Sequence, residues 1–372
     1  MRAFEFLTEA QAPAAKKVGR EFDHLEDKVF TDPINGALEA VDILDSLSSG
    51  ADDVALKWDG NPTVYFGRDA DGTFRLVGKN NWGREEGKSS SAEELKNFIL
   101  SRGKGEDWRP KFAQDMANMW SIFEKAVPDS YVGYLYGDLL YHPGKPFTEN
   151  DGQIQFTPNQ TSYMVNPNSE VGRDIERSKV GVAVHSQYLN FGDKTGEPIS
   201  DIDDFKGNPD LMVFGQTYVA KRPAVGAENI EDIRQAAKQH QASIAKLLSP
   251  RPGLMDINDI IYRFVNAQSR AKKLDQLDPK SFFDWLGTST VSQSKQKKIA
   301  ELRQEYEGVL AQAFYLVREI MKAKDEIIKE LDATEGDIKQ MTKGQAGGEG
   351  YVKVGSKVKL VPRDRWQPFR SE

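Results

Sequence analysis

The spacing of apolar residues changes character three times along the chain. From Asp23 to Leu47, Leu25, Val29, Phe30, Ile34, Ala37, Leu38, Ala40, Val41, Ile43 and Leu44 recur every three or four positions. With Pro33 as a break, this predicts one helix and its preceding turn. From Asp52 to Lys79 the pattern shortens to "DVALKW", "TVYFGR" and "FRLVGK", parted by "DGNP" and "DADG", which predicts an antiparallel meander. Helical stretches follow near 91–102 and 110–126, then a buried strand in "SYVGYLYGDLLY" and two more in "KVGVAVHSQYL" and "LMVFGQTYV". From about residue 228 to 340 the β signals vanish. Ile257, Ile260, Ile261, Phe264, Ile299, Leu302, Tyr306, Val309, Leu310, Phe314, Val317, Ile320, Met321, Ile327, Ile328 and Leu331 keep helical spacing instead. "KGQAGGEG" breaks that run, and "YVKVGSKVKLVPR" returns to strand alternation. The β-rich body therefore resumes after an inserted helical block. The expected organisation is a leader or flexible N-terminus at 1–20, a core at 21–227, a helical insertion at 228–345 and the last core strands at 346–372.

Composition narrows the function. The chain has 372 residues, enough for two structural units. No apolar run approaches the roughly 18 residues of a membrane helix, so no membrane partner is expected. There is no cysteine, which removes disulfides, a thiolate nucleophile and Cys-ligated zinc, and only four histidines stand against a His-rich metal site. A formal net charge of −7 argues against a protein that coats nucleic acid non-specifically, since that binding neutralises phosphates with Lys and Arg. Any contact with nucleic acid needs a local patch. One exists at 351–372, where Lys353, Lys357, Lys359, Arg363, Arg365 and Arg370 face only Asp364 and Glu372. This strand is the expected anion-binding wall.

An ordered set of motifs carries the chemistry. Lys57-Trp58-Asp59-Gly60 stands at a strand end, Tyr136-Gly137-Asp138 in a later strand, Glu349-Gly350-Tyr351-Val352 after the glycine run, and Lys357-Val358-Lys359 in the last strand. Lys-x-Asp-Gly by itself is a common pattern, and Asp59-Gly60 by itself is a good hairpin turn. The order and the strand setting raise it. Together the set resembles the covalent nucleotidyltransferase superfamily of ATP-dependent DNA ligases, RNA ligases and messenger-RNA capping enzymes.

The resemblance implies an α+β fold, an antiparallel-sheet nucleotidyltransferase domain of the ATP-grasp-like ligase adenylation type, here with a large helical insertion. It implies Lys57 as the nucleophile that attacks the α-phosphorus of ATP and forms lysyl-AMP, with AMP passing to a 5′-phosphate end of DNA or RNA. An attacking amine must be neutral, so the pocket is expected to depress the Lys57 pKa from about 10.4, with Lys357 and Lys359 as the cations that do so. Residues two apart in a strand share a side, so both ammonium groups are expected at one phosphate. By the same resemblance Glu349 holds Mg²⁺ or Mn²⁺, Asp59, Gly60 and Arg84 border the nucleotide, and Asp138 meets the ribose or the metal.

Three departures from the family stand out. Pro62 takes the place of an Arg, Asp138 that of a longer Glu, and only 13 residues follow Lys359, too few for the oligonucleotide-binding-fold domain that ligases place there. The helical block is the expected substitute as a substrate clamp. His185 reads as a core histidine, His24 as helix-start chemistry, and Tyr131, Tyr134, Tyr136 and Tyr141 as core, with one ring available to stack on adenine.

The first residues, "MRAFEFLTEA", lack the continuous apolar core of a secretion signal. They resemble the capsid-targeting leader of internal head proteins of large tailed phages, an aliphatic-x-Glu pattern cut after the Glu, here Leu7-Thr8-Glu9 before Ala10. The alternative is a frayed helix start. The leader implies a phage-encoded protein in the host cytoplasm during infection, or one packaged in the virion through capsid or scaffold contacts. The alternative function is that of a packaged virion protein whose ligase-like domain is inactive or only binds nucleotide, with the helical block as a partner-docking surface; an active enzyme that is packaged satisfies both readings.

Overall fold

The computed structural model describes residues 23–102, 108–199, 201–215, 220–221, 229–334, 336–342 and 345–363. The leader-like Leu7-Thr8-Glu9, as well as Arg365 and Arg370, lie outside the described residues.

The first helical stretch divides at its proline. Strand β1 (Asp23–His24) runs into a 3-10 turn (Leu25–Asp27), then α1 (Lys28–Thr31) and α2 (Gly36–Ser48). Between the two helices the Asp32 carboxylate accepts the N–H groups of Ile34 at 3.1 Å and Asn35 at 3.2 Å, which satisfies donors that Pro33 keeps out of a continuous helix. Strands β2 (Val54–Leu56), β3 (Thr63–Arg68) and β4 (Phe74–Gly78) follow, then α3 (Ala92–Ser101), α4 (Arg109–Ala126) and β5 (Gly133–Tyr141). Next come β6 (Thr148–Asn150), β7 (Gln153–Phe156), β8 (Thr161–Val165), α5 (Glu170–Arg177), β9 (Val180–Tyr188), β10 (Glu197–Pro198), β11 (Leu211–Phe214) and β12 (Ala220–Lys221). Helices α6 (Ile230–Leu248), α7 (Ile257–Arg270), α8 (Pro279–Thr288), α9 (Gln293–Glu301) and α10 (Arg303–Ala333) precede β13 (Ile338–Thr342), β14 (Gln345–Ala346), β15 (Tyr351–Lys353) and β16 (Val358–Leu360).

These strands build three mainly antiparallel sheets. The first runs β1-β16-β15-β2-β12. The second runs β10-β9-β5-β3-β4, with β11 added parallel to β9, and the third runs β14-β13-β8-β7-β6. The chain is thus α+β. Two sequence expectations change. The meander is not one sheet, because β2 pairs with β15 while β3 and β4 join β5, so "DGNP" is a crossing between sheets and not a hairpin turn. Helical periodicity also stops at Ala333, because Ile338–Thr342 pairs with Thr161–Val165 as β13. The third sheet was not foreseen, since none of its strands is longer than five residues.

One apolar core lies between α3 and α4 and one face of the second sheet, where Phe66, Leu76, Met116, Phe123, Leu135 and Val182 interlock. A larger core joins α2, α6, α7 and α10 to the first and third sheets. The helical block therefore shares its core with the β body. Among the described residues no helix is long and apolar enough to cross a membrane.

Candidate functional site

The sheet register explains why residues nearly 300 positions apart meet. Leu56 pairs with Tyr351, so the next rung sets Lys57 against Gly350, and the Lys57 N–H donates to the Gly350 carbonyl at 3.0 Å. Glu349 then lies beside Lys57, whose ammonium donates to Glu349 Oε2 at 3.2 Å. Alternation also sorts the motif. Trp58 turns into the core against Phe214 and Tyr163, with ring centroids 4.7 and 4.9 Å away, while Asp59 Oδ1 lies 3.8 Å from Lys57 Nζ. The next rung of the first sheet pairs Val352 with both Ala55 and Lys359, so Lys359 shares a face with Lys57.

Gly60 carries the chain from the first sheet to the second. A Cβ there would lie 2.4 Å from the Leu139 carbonyl oxygen, so only glycine lets the crossing pass this close to β5. On the far side Thr63 pairs with Asp138 and its hydroxyl donates to Asp138 Oδ1 at 2.6 Å. The other carboxylate oxygen of Asp138 meets His185 Nε2 at 3.0 Å. His185 is therefore the partner of a site acid, not a core histidine. Tyr136, on the same face as Asp138, lies 6.1 Å from the His185 ring, with Lys79 5.7 Å above its centroid. Tyr134, Tyr136 and Tyr141 are buried, as expected.

The third sheet closes the group. Asn159 donates to Asp59, Tyr163 OH accepts the Asp59 N–H at 2.8 Å, and Thr161 Oγ1 donates to Glu349 Oε1 at 3.3 Å. None of these three was singled out in the sequence. Their one legible signal is a polar "NQTSY" inside a β-like run.

The electrostatics reverse one expectation. Burial alone would pull the Lys57 ammonium down, but Glu349, then Asp59 and Asp138, outweigh it and hold Lys57 above the ordinary lysine value. The depressed lysine is Lys359, brought to about 8 by burial and then by repulsion from Lys57. Burial, together with Glu349 and Asp138, pushes Asp59 up to about 6 against the pull of Lys57. Asp138 is held below the usual carboxylate range, because His185, Thr63 and Lys57 together overcome its burial.

The remaining sequence candidates separate. Lys357 is exposed at the start of β16, with its carbonyl accepting the Asp23 N–H at 2.8 Å, so the two lysines of Lys-x-Lys do not share one environment. Arg84 is exposed on the loop after β4, and no hydrogen bond or ion pair among the described residues joins it to the group. Arg363 is no part of an open anion-binding wall: it is buried, with its guanidinium on Glu26 and Asp27. Lys353 pairs with Asp52 at 3.2 Å. Among the described residues, no group of three or more acidic or histidine side chains is arranged to hold a metal ion.

No curated protein and no solved structure matches the chain. A family described as "Family of unknown function (DUF6267)" matches residues 20–367, which takes in all three sheets, the helical block and every residue of the Lys57 group. The chain belongs to that family.

Proposed function

We propose that the protein is an ATP-dependent nucleotidyltransferase of the polynucleotide-ligase type, which forms lysyl-AMP at Lys57 and passes AMP to a 5′-phosphate end of a nucleic acid. The observation that carries this reading is that Glu349 and Asp59 lie 3.2 and 3.8 Å from one ammonium group, while Asp138 of the second sheet and Lys359 of the first are electrostatically coupled to it. A solvated strand-end lysine would have no reason to collect them. In the reaction, the Nζ–P bond forms at the α-phosphorus as the P–O bond to pyrophosphate breaks. Nζ sheds two protons, the first before attack, and Asp59, held at about 6, is a neighbouring carboxylate able to take it. Lys359 stands on the same sheet face to stabilise the charge that develops on the phosphates.

A divalent ion suits this group only as one carried by the substrate. Mg²⁺ is commonly held by one or two carboxylates and by phosphates, and Glu349 and Asp59 are the two carboxylates that touch Lys57. Bound there, the ion would neutralise phosphate charge.

The test is incubation of the purified protein with α-labelled ATP and Mg²⁺ or Mn²⁺. A covalent label that is acid-labile, base-stable and removed by added pyrophosphate is expected, and an unlabelled wild-type protein would overturn the reading. Nicked duplexes, nicked hybrids and 5′-phosphorylated single strands then separate DNA from RNA acceptors.

Lys359 of β16 and Lys357 just before it are expected to differ in this assay. Lys359→Ala should slow lysyl-AMP formation roughly 30- to 1000-fold, about 2–4 kcal/mol, whereas the exposed Lys357→Ala should stay within about threefold of wild type. Because Lys359 loses its proton near 8, ATP affinity in the wild type should weaken as pH rises through that value. Lys359→Arg, which stays charged, should remove that dependence. Calorimetric titration with ATP from pH 7 to 9 measures it.

A further inference from the structure

Strand β8 and the turn before it repeat one arrangement on two different acids. Glu349 turns Oε2 to Lys57 at 3.2 Å, while its other oxygen, Oε1, accepts from Thr161 Oγ1 at 3.3 Å. Asp59 turns Oδ1 to Lys57 at 3.8 Å, while its Oδ2 accepts from the Asn159 amide, which also donates to the Asp59 carbonyl at 3.2 Å. The two holders are tied to each other, since Asn159 Oδ1 accepts the Thr161 N–H at 2.8 Å. A carboxylate torsion is soft and nearly two-fold, so gripping one oxygen sets the direction of the other.

Lys57 is a long, flexible side chain, and its own backbone does not fix where Nζ rests. Two acids aimed at it do. We propose that Asn159 and Thr161 are positioning residues: by gripping the far oxygens of Asp59 and Glu349 they aim the near oxygens at Lys57 and set the place from which its amine attacks. This rests on the lysyl-AMP reading for the reaction served, but the grip itself is independent of it. Packing alone does not account for the polar choice at 161. The residue is fully buried on β8 opposite Thr342, whose hydroxyl lies 3.1 Å from its own and donates to it when Thr161 donates to Glu349; valine would fill the same space without either bond.

Misplacing a reacting atom by about 1 Å costs on the order of 10²-fold in rate. Thr161→Val and Asn159→Ala are therefore expected to slow single-turnover lysyl-AMP formation at saturating ATP about 30- to 100-fold, with ATP affinity within about threefold of wild type. Thr161→Ser, which restores the hydroxyl, should return to within about threefold. A purely structural role would lower the thermal transition without this split between rate and affinity, and without rescue by serine.

A second readout needs no turnover. Acetylation of Lys57 by sulfo-N-hydroxysuccinimide acetate at constant pH, followed by peptide mass spectrometry, should run at least about fivefold faster in both variants than in wild type or Thr161→Ser, because an amine no longer held between two aimed acids is more often free to react. Wild-type rates of both adenylation and acetylation in Thr161→Val and Asn159→Ala overturn the proposal, as does a Thr161→Ser variant as impaired as Thr161→Val. If the wild type forms no lysyl-AMP, the acetylation comparison still decides the positioning role, and only the reading of the reaction falls.

Discussion

Lys57→Ala is expected to lose covalent AMP transfer by at least about 10⁴-fold, more than ~5 kcal/mol in the barrier, because no neighbouring group can replace the amine that forms the bond to phosphorus. The same substitution should lower stability in a pH-dependent way. Lys57 has a raised pKa in the folded protein, so it contributes stability that is fully present below its unfolded value of about 10.4 and is lost only as pH rises through the higher folded value. Without it, Glu349 and Asp59 lose the ammonium that lies 3.2 and 3.8 Å from them, and the repulsion among Glu349, Asp59 and Asp138 is less well offset. The deficit should therefore be larger at pH 8, where Asp59 is ionised, than at pH 5, below the value of about 6 that Asp59 holds with Lys57 present. Urea unfolding at the two pH values, with the α-labelled ATP assay alongside, measures both effects. Lys57→Arg separates them: it keeps the charge, and with it most of the stability, but gives no label. Label on Lys57→Ala at the wild-type rate would overturn the assignment of the nucleophile.

How far the site could be read in the sequence depends on what each residue's signal required. Lys57, Asp59, Asp138 and Glu349 lie in short motifs on or beside strands, and the family resemblance carried by their order and strand setting implied one pocket. The structure brings these four together, and Lys359 with them. Their mutual electrostatics were not legible, because the charge on Lys57 depends on three carboxylates whose distances are set by sheet register. Lys357 and Lys359 were expected as the cations that depress Lys57, and the depression falls on Lys359 itself, which unlike Lys57 has no carboxylate at hydrogen-bonding distance among the described ion pairs. Asn159, Thr161 and Tyr163 were invisible for a different reason. They act through a sheet whose short strands, β6 to β8 and β13, come from stretches more than 170 residues apart, one of them following a helix whose periodicity masks where the strand begins. The fold divides the same way. The helices α3, α4 and α10 follow from apolar spacing, while the split of the expected meander depends on Gly60, whose neighbour across the sheet only the fold supplies.

The largest stability effect is expected from Lys324, a lysine that the sequence reading passed over and that the structure buries on α10. Ala313, Phe314, Val317, Ile320, Met321, Ile327, Ile328 and Leu331 form one buried stripe, and Lys324 falls on it with no exposed surface. Its ammonium donates to Glu26 Oε2 at 2.9 Å and to the Val361 carbonyl at 2.8 Å, while Arg363 Nε donates to Glu26 Oε1 at 3.0 Å and the same guanidinium reaches Asp27. Burial works against the Glu26 charge, yet Lys324 and Arg363 hold its pKa below the ordinary value. Lys324→Met keeps the packing of the stem and leaves Glu26 short of a partner, so a loss of about 3–5 kcal/mol is expected near pH 7. A depressed carboxyl pKa contributes stability that is present above its unfolded value of about 4.3 and lost as pH falls through the lower folded value, so wild type and Lys324→Met should converge in acid. Adding Glu26→Leu to Lys324→Met should return part of the loss, because the stranded charge goes with its partner. Chemical denaturation of the two single variants and the double variant, at pH 7 and pH 4, measures the coupling. Strictly additive losses would mean that the pair is not a unit. The same group of charges acts on Lys359, where Asp27 and Glu26 oppose the repulsion from Lys57 and Arg363 adds to it. A Lys324→Met protein that remains folded should therefore also show an altered pH dependence of ATP binding, which would tie the helical block to the pocket through a chain of named charges.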